Sequence, residues 1–134
     1  MVSPVLGKRP PDRRDYRPFT WGHFLILRGW AQRVAEAEHA PVYLVGSALS
    51  QTVPRDVDVS IVLSRAEFEQ RFGPLPDDPS PDAHRELWQA TELAKAKHYC
   101  DIQEAVEYAI HVDVKFAPDC WYPSSDRLLL AEHP

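Results

Sequence analysis

Cysteine is scarce in this chain: Cys100 and Cys120 are the only two among 134 residues. Two cysteines cannot make a disulfide framework, so the fold must rest on an apolar core. Reduced thiols of this kind fit the cytosol, and a cytoplasmic protein is the expectation. Long hydrophobic runs are missing as well. None approaches the roughly 18 residues a membrane helix needs, which excludes a helical span. The first 18 residues lack the apolar core of a secretion signal. Positive charge is also in deficit, with 15 Lys and Arg against 20 Asp and Glu, for a net charge of -5. That balance argues against a large nucleic-acid footprint and leaves room only for a small basic groove. Repeats and low-complexity tracts are absent.

What is present is ordinary in bulk and informative in detail. The apolar fraction is 44% and the charged fraction 26%, typical of a globular protein, and the length suits one domain over 1–134. The 13 prolines gather in the N-terminal tail, in 74–81 and near the C-terminal end, where they mark loops. Residues 1–18 form a locally basic arm through Lys8, Arg9, Arg13, Arg14 and Arg17. Such an arm is either simply solvated or in contact with a phosphate-bearing partner.

Periodicity predicts the order helix, strand, linker, strand, helix, helix, strand. Thr20 caps a helix to about His39, with Trp21, Phe24, Leu27, Trp30 or Ala31, and Val34 on one apolar face. Trp21 and Trp30 are read as core residues. Val42–Val45 is a strand. Ser64-Arg-Ala-Glu67 is a capping-box pattern that opens a short helix to Phe72, closed by Gly73 and Pro74. Ser80-Pro81 opens a helix over 82–97, with 98–108 either continuing it or following a break near Tyr99. Residues 109–116 alternate as a third strand that Pro118 stops, and Arg127–Leu130 offers a short edge strand.

The informative stretch is Val42–Leu63. An apolar strand leads to Gly46-Ser47, and eight residues later a second strand opens with Asp56-Val57-Asp58. Strand alternation puts Asp56, Asp58 and Ser60 on one face and Val57, Val59, Ile61 and Leu63 on the other. Two carboxylates about 7 Å apart on one face repel each other, and a shared divalent cation removes that repulsion. Asp113 has the same setting in the third strand, where it shares a face with His111 and Lys115. Aspartate oxygens suit a hard ion, Mg²⁺ or Mn²⁺. Gly46 lets backbone approach a ligand, and a turn into a short helix at 48–51 points amides at anions. The plainer readings are a turn serine at Ser47, an Asp113–Lys115 pair and a solvated His111. A zinc site from His84, His98 and Cys100 matches no known spacing.

Gly46-Ser47, the spacer, Asp56-Val57-Asp58 and the later Val112-Asp113-Val114 together resemble the nucleotidyltransferase superfamily that includes DNA polymerase beta, and most of all its minimal members. The resemblance spans 42–116 in motif terms. It implies an α/β (α+β) fold with a small mixed sheet of at least three strands, covered by helices on one face. It implies that Asp56, Asp58 and Asp113 hold two Mg²⁺ ions, and that Gly46 and Ser47 hold the triphosphate of an NTP such as ATP. Arg55 and Lys115 are further candidates for nucleotide contact. The implied reaction transfers NMP from the NTP to a hydroxyl. The acidic balance favours a protein or small-molecule acceptor over nucleic acid. With no room for the C-terminal helical domain of many larger members, the acceptor site is expected from the tail, the 74–81 loop, a second subunit (a homodimer) or a partner protein. The loop Ala48-Leu49-Ser50-Gln51 departs from the Arg- and Gly-bearing loop of many small members. It motivates an alternative, an antitoxin-like binding or regulatory module that keeps the fold without turnover.

Overall fold

The computed structural model describes residues 17–77, 84–121 and 126–133. It is a mixed α/β protein whose described residues form three α-helices and an open four-stranded sheet. Helix α1 (Trp21–Glu38) precedes strand β1 (Val42–Val45), a 3₁₀ turn (Gly46–Leu49) and β2 (Val57–Leu63). Helices α2 (Arg65–Phe72) and α3 (Arg85–Ala105) lead to β3 (Val112–Pro118), and β4 (Arg127–Ala131) follows. The sheet order is β3-β2-β1-β4. β1 runs antiparallel to both β2 and β4, whereas β2 and β3 are parallel. Parallel neighbours need a long crossover, which α2 and α3 supply.

Local chemistry sets the element ends. The Thr20 hydroxyl accepts from the His23 amide, while the Thr20 amide donates to His23 Nδ1, so one pair satisfies two groups at the start of α1. His39 closes α1 in the left-handed region at φ 54°. Ser64 Oγ accepts from the Glu67 amide at 3.2 Å and caps α2, and Gly73 follows its end. The cap expected at Ser80-Pro81, and all of the basic arm except Arg17 and Pro18, lie outside the described residues. α3 runs unbroken past Tyr99 to Ala105. Then Glu107 and Tyr108 both take left-handed angles, and the chain turns into β3.

One face of the sheet carries the core. Val42, Leu44, Val57, Val59, Ile61, Leu63, Val112, Val114 and Phe116 pack with Leu27, Trp30, Val34, Phe68 and Ile102 of the helices. Each such side chain contributes roughly 1.5–3 kcal/mol on burial. Trp30 is buried and donates its indole N–H to the His98 carbonyl at 3.1 Å. Trp21 corrects the sequence reading: it is 70% exposed and stacks on Phe24 instead. It is the first residue of α1, six residues ahead of the first buried α1 residue, Leu27. The third strand is a second correction: expected over 109–116, it starts at Val112 and runs on to Pro118, which ends it as its last residue, opposite Leu63. β3 is an edge strand, so the missing N–H of proline costs little there. The edge strand expected at Arg127–Leu130 is β4, one residue longer.

Candidate functional site

The face turned away from the core carries the polar residues singled out in the sequence. In register, Asp58 of β2 lies between Val45 of β1 and Asp113 of β3. The two aspartates are on adjacent strands, so their backbones are about 4.8 Å apart. Asp56 precedes β2, and the Val57 amide donates to the His111 carbonyl at 2.8 Å, so His111 stands beside Asp56 just before β3. His111 Nδ1 and Asp56 Oδ1 are 2.7 Å apart. One row further along, Ser60 lies between Tyr43 and Lys115. Ser60 is fully buried, and its hydroxyl has no hydrogen-bond partner among the described residues.

Gly46 joins this row from the side. Val45 is paired with Asp58, so the chain leaves β1 at the level of the acid. Gly46 then adopts φ +76°, and a Cβ built on it would lie 2.5 Å from Asp58 Oδ2. Glycine is required twice over here, by the backbone angle and by the carboxylate against it. Ser47 follows, and its carbonyl accepts from the amides of Ser50 and Gln51, which closes the turn. Two motif halves separated by eight residues in sequence are therefore in direct contact in space.

Electrostatics concentrate on Asp58. Burial pushes its carboxyl above the usual aspartate range, and the nearby charges of Asp113 and Asp56 push in the same direction, with Lys115 and His111 opposing. Asp113 pairs with Lys95 of α3, whose Nζ is 3.6 Å from Oδ1. Lys95 also reaches Glu92 at 3.1 Å and lies over the Tyr99 ring. Arg55 is exposed in the loop before β2, away from these contacts.

The three aspartates share the face but are not gathered into a ligand triad. Among the described residues, no group of three or more His, Cys, Asp or Glu stands in metal-binding geometry. Asp56 is bonded to His111, and Asp113 is paired with Lys95. The donor set still fits a hard divalent cation in kind. It consists of carboxylate oxygens, with Asp58 raised first by burial and then by the charges of Asp113 and Asp56, and with Gly46 packed directly against Asp58 Oδ2.

Sequence reasoning missed two residues that shape this region, Lys95 and Gln103. Lys95 lies in the half-buried stripe Thr91, Lys95, Tyr99, Ile102 of α3. A lysine at helical spacing among inward positions was the available signal. Gln103 is 2% exposed; its Nε2 donates to the Ile110 carbonyl, and its Oε1 accepts from the Val112 amide at 2.7 Å. No family model, curated protein or solved structure matches the chain. No helix among the described residues is long and apolar enough to cross a membrane.

Proposed function

We propose that this chain is a nucleotidyltransferase-fold enzyme that transfers NMP from an NTP to a hydroxyl acceptor. The observation that carries the reading is the contact of Gly46 with Asp58, itself in register with Asp113. A phosphate-holding turn and an acid pair belong side by side in phosphoryl transfer, where catalysis is mostly positioning and charge neutralisation. Asp56, Asp58 and Asp113 are the residues to hold Mg²⁺ or Mn²⁺. When bound, the cation supplies charge neutralisation at the phosphates and a lowered pKa for the attacking hydroxyl. Gly46 and Ser47 are the residues to hold the triphosphate. Lys115, on the same face one row from Asp58, adds a positive charge near it.

Asp113, at the row's outer position on β3, is the residue to accept the acceptor's proton as the new bond forms. The acceptor itself is a protein side chain or small molecule, delivered by a second copy or a partner protein. Incubating the protein with each labelled NTP, Mg²⁺ and cell extract tests the reading, with Asp58→Ala as the control. Label transfer that Asp58→Ala abolishes supports it.

A second reading has its own observation. Asp56 and Asp113 are already engaged by His111 and Lys95, an arrangement that suits a module that binds without turnover. Nucleotide transfer by the purified protein counts against it; NTP binding without transfer supports it.

A further inference from the structure

We propose that β4 is a dimerisation edge: it pairs antiparallel with β4 of a second copy across a two-fold axis and joins the two sheets into one. The inference does not draw on the acid row and holds whether or not that row turns over. One line of residues across the core face shows which side of the sheet is open. In register, Val114 of β3, Val59 of β2, Leu44 of β1 and Leu128 of β4 form that line. Val114 and Val59 are 0% exposed and Leu44 is 2% exposed, but Leu128 is 45% exposed. Val114 also belongs to an edge strand, and it is closed because α3 packs along β3. β4 lies against α1, yet that helix leaves Leu128 bare. On the opposite face Leu129, paired with Tyr43, is exposed as well, and the 3₁₀ turn that touches β4 adds exposed Leu49.

The two edges also differ in what guards them. β3 carries Asp113, Lys115 and Pro118, and charges and proline keep an edge from pairing with another chain. β4 has no proline, and its single charge, Arg127, stands at the first position with its guanidinium 4.3 Å over the Tyr43 ring. Its one register shift falls between Leu129 and Ala131, so Arg127–Leu129 stay regular. An unpaired strand backbone with a leucine open on each face is a template for another strand.

The ends of the strand identify the occupant as a second copy. Arg127 opens β4, and exposed Glu132 follows its last residue. Antiparallel pairing sets each Arg127 towards the other copy's Glu132, so symmetry gives two opposite-charge pairs, with leucine against leucine between them. Parallel pairing in register would set Arg127 against Arg127 and Glu132 against Glu132. A two-fold contact of this kind closes on itself, so the edge is used up in the dimer and no filament follows.

Sedimentation equilibrium of the whole chain over a concentration series tests the pairing. Wild type is expected to move from 15.3 kDa to twice that mass as concentration rises. Leu128→Lys is expected to weaken association at least about tenfold, and Leu93→Lys, at a more exposed leucine of α3, to leave it unchanged. Glu132→Arg is expected to weaken it about three- to tenfold, and Arg127→Glu combined with Glu132→Arg to restore it, which damage to the fold could not do. A wild type that stays monomeric throughout overturns the proposal, whether the edge is bare, covered by another part of the chain or taken up by a different protein. A dimer that Leu128→Lys leaves intact forms elsewhere and overturns it too. A dimer that Leu128→Lys dissolves but Glu132→Arg does not weaken is not antiparallel at β4, and the proposed pairing is wrong. Should Leu128→Lys fail to fold by circular dichroism, Glu132→Arg and the charge exchange carry the test alone: weakening followed by recovery supports the proposal, and no change overturns it.

Discussion

A single missing atom organises the site. Gly46 has no Cβ, and the space it leaves is filled by the Asp58 carboxylate. Gly46→Ala would meet that oxygen and would also hold alanine at φ +76°. The expected cost is about 2–4 kcal/mol in urea unfolding, together with weaker Mn²⁺ binding, because the methyl group pushes Asp58 aside. A variant as stable as wild type would show that the turn relaxes away from the acid. At this scale the aspartates were legible, since alternation puts Asp56 and Asp58 on one side of their strand and Asp113 on the polar side of its own, and the β2–β3 pairing then joins them. Their partners were not. Lys95 and His111 lie 18 and 55 residues from the acids they meet, and only the fold brings them there.

Elements set where those residues stand. Gln103 spans the end of α3 and the start of β3, and it satisfies two buried backbone groups across a turn built from two left-handed residues. It thereby fixes the register that places Asp113 opposite Asp58. Gln103→Leu keeps the volume but leaves both groups unpaired, with an expected loss of about 2–4 kcal/mol in thermal or urea unfolding. No sequence pattern announced this role, because a glutamine near a helix end normally faces water.

Glu38 joins the helices in a similar way. At the end of α1 it bonds His98 of α3 at 2.6 Å and Arg71 of α2 at 2.7 Å. Burial pushes the Glu38 carboxyl up, but the hydrogen bonds from His98 and Arg71 and their charges outweigh it, so it titrates below its ordinary 4.5. A lowered acid stabilises the fold fully above its unfolded value and loses that contribution as pH falls. Glu38→Gln should therefore cost about 1–3 kcal/mol at neutral pH, and its deficit should close as unfolding is measured below 4.5. A deficit independent of acid pH would mean that packing, not charge, holds the three helices.

Across the whole molecule, helix and strand positions were largely legible, because capping residues and periodicity are local signals. The sheet order was not, since pairing β2 with β3 requires the chain to return through α2 and α3 after some fifty residues. That return turns separate motifs into one acid row, and the central claim is that this row transfers nucleotides. Parallel incubations with α-labelled and γ-labelled NTP, Mg²⁺ and cell extract test it most directly. The account predicts that the α-label moves to an acceptor and the γ-label leaves as pyrophosphate, with transfer at least about 100-fold lower in Asp58→Asn. Equal α-label transfer by Asp58→Asn, or movement of the γ-label alone, would contradict it.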